Sequence, residues 1–229
     1  DAEILETADV LSRANKIYHW IQKHIKWNNF YGKYAQHGVE EALKVNSGNI
    51  ADINLALIAA LNAANIEAYP ILVSSRDNGL PHHLHPVISD FNYVIAALKI
   101  GDEIIQLDAS DNILPFGQLP LRAINGEGRI IYNKKLSEWI PLENKIISST
   151  MYRFDGKLGL DGNIVGTLHI IQNGLDAYNK RREILQYGSI EEYQEKLDDR
   201  LTNIDLNSFA VSFLEETGNS LSIESAVSV

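Results

Sequence analysis

The sequence predicts an α+β chain in which a central buried helix packs against an antiparallel sheet, followed by a smaller β-rich domain with one helix. The segment from Ile50 to Ala64 is apolar on nearly every face, which is typical of a helix covered on all sides. After it, short apolar runs alternate with Gly-containing turns, as in antiparallel strands. After about Glu143 the sequence changes to repeated short apolar runs separated by Gly-containing turns. We therefore predict one domain over residues 1–145 and a second over residues 146–229.

Composition excludes several classes of protein. The chain has 229 residues, 45% hydrophobic and 22% charged, which is ordinary for a globular protein. A net charge of −10 repels phosphate backbones, so we expect no nucleic-acid partner. The longest apolar stretch, Ile53 to Ala64, is far shorter than the ~20 residues that span a bilayer, so we expect no membrane insertion. The absence of cysteine excludes disulfides, thiolate–zinc sites and a cysteine nucleophile.

Three elements precede the central helix. From Val10 to Ile25, apolar residues recur every three or four positions, which predicts an amphipathic helix. The aromatic-rich stretch from Trp27 to Tyr34 is predicted to be a loop, and a short helix is predicted over Val39–Val45. Ser47-Gly48-Asn49 is a turn signal immediately before the central helix. Because that helix begins inside the molecule, its unpaired N–H groups favour a negatively charged neighbour.

The strands of the first domain are predicted from apolar runs between turn residues. Gly101-Asp102-Glu103 between two such runs is a hairpin signal. Pro115 to Gly128 is rich in Gly and Pro and is predicted to be an extended loop. The predicted strands are Ala68–Val73, Phe91–Leu98, Ile104–Leu107, Arg129–Tyr132 and Trp139–Leu142.

In the second domain, Asp155-Gly156 and Asp161-Gly162 are predicted to be turns between short strands. Lys180-Arg181-Arg182 is predicted to be a solvated turn. Ser189-Ile190-Glu191-Glu192 matches a capping box and predicts the start of a helix. The predicted strands are Ile146–Phe154, Lys157–Leu160, Ile164–Ile171 and Leu206–Phe213.

Four stretches and one dipeptide of the first domain follow the order and spacing of a known family. They are Ile25-Lys26-Trp27, Ser47-Gly48-Asn49-Ile50-Ala51-Asp52, Phe91-Asn92-Tyr93-Val94-Ile95, Leu107-Asp108-Ala109-Ser110 and Leu119-Pro120. On these motifs the first 145 residues or so resemble the transglutaminase-like superfamily, a branch of the papain-like fold. The resemblance is strongest to the bacterial variant that is flanked by β-sandwich domains in Bacteroidetes-type envelope proteins. The remainder resembles, more weakly, the β-rich domain that often follows.

The resemblance implies where a catalytic triad would lie. In active members of that family, a Gly-x-Cys motif opens the central helix, a histidine lies on a following strand and an aspartate ends the next strand. The corresponding positions here are Ile50, Tyr93 and Asp108. Ile50 has no heteroatom, and a tyrosine with a pKa near ~10 is no general base at neutral pH. We therefore expect a pseudoenzyme of the transglutaminase/cysteine-protease-like superfamily, with a vestigial triad, no catalytic residue and no cofactor.

Several of these residues also have plainer interpretations. Asp52 in the first turn of the helix would interact with its dipole. Asp108 would serve as a hydrogen-bonded structural carboxylate, and because a buried tyrosine hydroxyl needs a partner, we predict that Tyr93 contacts Asp108 or a water beside it. Trp27 and Tyr31, together with Asn49 and Asp52, are candidates for the lining of a cleft, although local packing of the aromatic rings is the simpler account.

One segment contains three histidines in four residues. Imidazole binds zinc, copper and nickel, so His82, His83 and His85 are weak candidates for metal ligands. Adjacent histidines point apart on an extended chain, and no motif supplies further ligands. We therefore predict a solvated loop and no metal site.

The leading functional hypothesis is a catalytically inactive module that binds or supports other parts of a larger bacterial envelope protein. By the family resemblance, its location would be periplasmic or in the outer cell envelope. Its partners would be other domains of the same chain, or an envelope protein or polysaccharide. One alternative is a hydrolase with another nucleophile, Ser47 or Ser110, served by a loop histidine. The other is that the β-rich domain alone carries a polysaccharide- or protein-binding function.

Overall fold

The structure is a computed structural model, and it describes residues 7–85 and 87–229. The chain divides into two compact units, one ending at Lys145 and the other beginning at Ile146. In the described residues, no helix is both long and apolar enough to cross a membrane. The prediction of an α+β chain with antiparallel sheets is confirmed.

From residue 7 onward, the first half of the first unit contains three α-helices. Helix α1 covers Val10–His24 and is capped by the Asp9 carboxylate, which accepts a hydrogen bond from Ser12 N at 2.7 Å. Helix α2 covers Val39–Val45, and helix α3 covers Ile50–Ala63. Two short strands, β1 (Lys26–Trp27) and β2 (Ser47–Gly48), pair in parallel and bring the chain to the start of α3.

A five-stranded antiparallel sheet completes this unit. Its spatial order is β5-β4-β3-β6-β7, with β3 in the middle. The tight turn at Gly101-Asp102 joins β4 to β5, as the sequence predicts. The strands are β3 (Ala68–Val73), β4 (Tyr93–Ile100), β5 (Glu103–Leu107), β6 (Glu127–Ile131) and β7 (Ser137–Pro141).

Helix α3 is buried over its first half, whereas Ala59, Asn62 and Ala63 in its second half are exposed, so the expectation of a helix covered on all sides is met only in part. Ile53, Leu57 and Leu61 pack with α1 and with the sheet in one cluster. At its first turn, Ile50 packs in a second cluster together with residues of β3 and β4, including Tyr93. The start of α3 therefore lies against the end of the sheet at which strand β4 begins.

The second unit is a four-stranded antiparallel sheet with two helices. The spatial order is β10-β11-β9-β8. Leu221, Ile223 and Ile170 face the helices and form the core of the unit with Tyr193. The elements are β8 (Ser149–Leu158), β9 (Ile164–Asn173), α4 (Gly174–Ile184), α5 (Ile190–Asp198), β10 (Asp205–Ser212) and β11 (Leu221–Ser228).

Three sequence predictions for this unit are wrong. The sequence predicts one helix, whereas the structure has two, α4 and α5. Asp155-Gly156 lies inside the continuous strand β8, where Gly156 is paired with Gly166, so it is no turn. A Cβ on Gly156 would lie 2.4 Å from the Phe154 ring, which explains a glycine in mid-strand. Lys180-Arg181-Arg182 belongs to helix α4, and Arg181 is fully buried instead of solvated.

Arg181 is buried because main-chain oxygens of one loop surround its guanidinium. Nε and Nη2 donate to Phe213 O at 3.2 and 2.9 Å, and Nη2 also reaches Glu216 O and Asn219 O. The side chain therefore ties three carbonyl oxygens of this largely exposed loop to helix α4 and finds in them the acceptors that a buried guanidinium needs. The sequence patterns predict neither helix α4 nor strand β11.

Candidate functional site

The start of helix α3 is a complete capping box. The Asn49 side chain accepts a hydrogen bond from Asp52 N at 2.8 Å, and Asp52 Oδ2 accepts one from Asn49 N at 3.0 Å. Asp52 Oδ1 also accepts from the N–H groups of His37 and Gly38, both at 3.0 Å. Asn49 and Asp52 are buried, and both spend their hydrogen bonds on fixing the helix start instead of facing a cleft.

Gly48 is required here by close packing. A Cβ at this position would lie 2.6 Å from Asp52 Cβ. The glycine of the Gly48-Asn49-Ile50 motif therefore allows the chain to pass directly beside the capping carboxylate. Next to it, Ile50 is fully buried, and its N–H donates to Phe30 O at 3.3 Å.

Tyr93 and Asp108 form a direct hydrogen bond, as the sequence predicts. Tyr93 is the first residue of β4, and Asp108 follows the end of β5. Tyr93 Oη donates to Asp108 Oδ2 at 2.6 Å, and both residues are fully buried. The three positions at which the resemblance would place a triad thus meet at one end of the sheet, with Ile50 in the same apolar cluster as the Tyr93 ring.

The second oxygen of Asp108 is held by two donors. Asn54 Nδ2, from the second turn of α3, donates to Asp108 Oδ1 at 2.9 Å. Ser110 N donates to the same oxygen at 3.0 Å. Asn54 also donates to Val94 O at 3.0 Å and accepts from Ala109 N at 2.9 Å. The carboxylate therefore joins the helix, the first residues of β4 and the chain that follows β5.

Arg122 closes this network on its outer side. Its Nε donates to Tyr93 Oη at 3.0 Å, and its Nη2 donates to Ser110 Oγ at 2.8 Å. The guanidinium lies 4.6 Å from the centre of the Trp27 ring, and that ring stacks on Tyr31. Tyr31 also meets Tyr93 edge-on at 5.4 Å. Trp27 and Tyr31 therefore cover the network by local packing.

Burial strongly raises the pKa of the Tyr93 hydroxyl above its ordinary value, and the nearby charge of Asp108 raises it further. The positive charge of Arg122 opposes this effect without cancelling it. At neutral pH Tyr93 is thus a neutral donor toward Asp108. It cannot accept a proton as the histidine of an active family member would.

The histidine loop has a different arrangement. His82 Nδ1 lies 3.5 Å from Asp90 Oδ2, whereas His83 stacks on Trp139 and has Nδ1 3.4 Å from Glu127 Oε2. The two adjacent rings thus serve different carboxylates, as expected for neighbours on an extended chain. In residues 7–85 and 87–229, no group of three or more metal-ligating side chains comes together.

Two residues of the network were missed by sequence reasoning. Asn54 has a weak signal, because it is a polar residue within an otherwise apolar helix. Arg122 has none, because nothing in the sequence of the short 3-10 helix Leu121–Ala123 indicates that this side chain reaches β4. No protein-family model matches the chain, and no curated protein matches it either.

Proposed function

We propose that the first unit is a transglutaminase-like domain whose catalytic positions have become structural, and that it serves as a binding or scaffold module of a larger bacterial envelope protein. The observation that carries this proposal is the Tyr93–Asp108 hydrogen bond. It joins the two strand positions at which the family has its histidine and aspartate, beside a buried Ile50 at the helix start.

The chemistry of the network supports a structural role. A cysteine nucleophile depends on a free helix N-terminus and a basic imidazole. Here the N–H of Ile50 is already bonded to Phe30 O, and Tyr93 is a neutral phenol held by Asp108 and Arg122. Each group that would activate a nucleophile is engaged in holding the unit together.

The hydrolase alternative has less support from the surroundings of Ser110. Its Oγ accepts from Arg122 Nη2 and lies 3.3 Å from Tyr93 Oη. A guanidinium has no acceptor, and a phenol with a raised pKa is no base, so neither group activates a serine. Ser110 is also buried and hence shielded from a substrate.

Enzyme assays test the proposal directly. The 229-residue protein is assayed for amine incorporation into glutamine and for peptide and ester hydrolysis, alongside Ser110→Ala and Ser47→Ala. We expect no turnover above background in any of the three. Turnover by the wild type that either substitution abolishes would contradict the proposal.

An introduced thiol tests whether the former site is sealed. The chain has no cysteine of its own, so Ile50→Cys reports on this position alone. We expect the native thiol to react with a disulfide reagent at least about a hundredfold more slowly than in unfolded protein, because a buried group reacts only during rare opening. Leu121→Cys, at a nearby side chain that is 58% exposed, is the matched control and reacts at once.

The double substitution Ile50→Cys with Tyr93→His addresses catalysis at the same place. We expect it to lack efficient acyl transfer, since Arg122 and Trp27 still cover the site. Activity that appears in this variant and is lost after alkylation of the thiol would show an open slot and contradict the sealed arrangement.

A further inference from the structure

The two edges of the second sheet differ in their protection. At one edge, the pairing of β10 with β11 contains a bulge between Leu206 and Ser208, a common way to prevent further pairing. At the other edge, β8 pairs with β9 without a register shift from Ser149–Asn173 to Leu158–Ile164. In the part of the chain that the structure describes, β8 has a partner strand on one side only. It is therefore a long, regular edge strand.

The outward backbone groups of β8 follow from the hydrogen bonds of its neighbours. Ile164 N donates to Val229 O at 3.0 Å and Val229 N donates to Ile164 O at 2.9 Å, so the backbone of Ile164 bonds toward β11. By alternation, Val165 bonds toward β8, where it faces Lys157. Gly159 N bonds to Asn163 O in the same phase. The odd-numbered residues of β8 thus bond inward, and its even-numbered residues from Thr150 to Leu158 direct their N–H and C=O groups outward.

The side chains at this edge are apolar and uncovered. Tyr152, Phe154 and Leu158 are 67%, 46% and 73% exposed, and they lie on the same face of the strand. The opposite face carries Arg153, Asp155 and Lys157. Large apolar side chains beside free backbone donors and acceptors are the combination that strand pairing covers.

We propose that β8 pairs antiparallel with β8 of a second copy of the chain, about a two-fold axis at Phe154, to form a continuous eight-stranded sheet. An axis perpendicular to the sheet keeps every side chain on its own face, so residues of equal parity pair. Phe154 then faces Phe154, Tyr152 faces Gly156, and Thr150 faces Leu158. All the outward groups from Thr150 to Leu158 gain a partner.

The charged side chains favour the register with the axis at Phe154 over the registers shifted by one residue in either direction. With the axis at Phe154, Arg153 of each copy faces Asp155 of the other. With the axis one residue earlier, Arg153 would face Arg153, and one residue later, Asp155 would face Asp155 and Arg153 would face Lys157. Like charges directly opposite each other destabilise a strand pair, whereas opposite charges stabilise it. An axis at Gly156 would carry the pairing past Leu158, where β8 ends.

Charge reversal with complementation tests the proposal. Sedimentation velocity of the 229-residue protein is expected to show a dimer at about 100 µM. Arg153→Glu and Asp155→Arg each place two like-charged pairs at the interface and are expected to raise the dimer dissociation constant about tenfold. Within one copy, Arg153 Nε also lies 2.9 Å from Asp155 Oδ2, but both side chains are more than half exposed, at 71% and 52%, so the loss of this surface pair costs little stability and folding is preserved.

Mixing the two single variants separates contacts between copies from contacts within one copy. In the mixed dimer, both cross-strand pairs again have opposite charges, so the dimer returns although each chain keeps its altered charge. Tyr152→Pro, which removes an outward N–H, is expected to weaken the dimer more than Tyr152→Ala does. A monomer at 100 µM, a dimer insensitive to the single reversals, or a mixture that stays monomeric would each overturn the proposal, whereas failure of the enzyme assays above leaves it unaffected.

Discussion

Removing the Tyr93 hydroxyl tests the network at the start of β4. In Tyr93→Phe, Asp108 Oδ2 loses the donor at 2.6 Å, and Arg122 Nε loses its acceptor at 3.0 Å. A hydrogen bond to a charged group contributes about 1.5–3 kcal/mol, and the carboxylate left behind is fully buried. The ring remains, so packing is preserved. We expect the free energy of unfolding of the first unit to fall by about 2 kcal/mol.

Tryptophan fluorescence is the assay, because all three tryptophans, Trp20, Trp27 and Trp139, lie in the first unit. Urea unfolding followed by this signal reports on that unit. For a domain of this size, a loss of about 2 kcal/mol lowers Tm by about 4–8 °C. Tyr34→Phe is the matched control, since its side chain is 65% exposed and its change is expected to stay within about 0.5 kcal/mol.

The result that refutes this reasoning is a small effect. If Tyr93→Phe changed the free energy of unfolding no more than Tyr34→Phe does, Tyr93 would not be the donor that holds a buried charge. The structural role proposed for Ile50, Tyr93 and Asp108 would then lose its main support.

Three further predictions concern the Tyr93 hydroxyl, the start of helix α3 and helix α4 of the second unit. The pKa of Tyr93 is higher in the folded state than in the unfolded chain, so the contribution of its hydroxyl to the free energy of unfolding is constant below about pH 10 and falls as the pH rises further. Urea unfolding between pH 8 and 11 is therefore expected to show that wild type and Tyr93→Phe become more similar in stability above pH 10. Asp52→Ala leaves three N–H groups without their acceptor and is expected to cost about 3 kcal/mol by tryptophan fluorescence, whereas a loss under about 1 kcal/mol would contradict the role given to its carboxylate. Arg181→Lys loses the separate Nε donor to Phe213 O and the planar guanidinium that places Nη2 among three carbonyl oxygens. Urea unfolding followed by far-UV circular dichroism is therefore expected to show a loss of about 2 kcal/mol in the second unit, and Arg182→Lys, at the neighbouring position of the helix, is the comparison that stays near wild type.

The sequence patterns predict those features whose conformation depends mainly on neighbouring residues in the chain. The apolar stretch after Asn49 could only be a buried helix, and the Gly101-Asp102 turn could only join two strands. The bond between Tyr93 and Asp108 was predictable because a buried phenol needs an acceptor and Asp108 was the nearest one.

Other features depend on tertiary contacts that no local pattern contains. Arg181 belongs to a basic triplet that is typical of a solvated turn, yet a loop some 30 residues later surrounds it with carbonyl groups. Arg122 lies in a short 3-10 helix, and its role depends on Trp27 and Tyr93 lying nearby in space. Asp155-Gly156 matches a turn pattern, but cross-strand pairing with Gly166 keeps it extended.

Asn54 has a consequence for how the first unit opens. Its side-chain amide joins helix α3 to Val94 O, 40 residues later in the chain, and to Ala109 N, 55 residues later. Helix α3 cannot lift away from the sheet without leaving buried donors and acceptors unpaired, at a cost of about 1–3 kcal/mol for each. We therefore expect local fraying at this point to be suppressed, and the amide proton of Ala109 to exchange with solvent only when the whole unit unfolds. Its exchange rate measures the global stability of the unit.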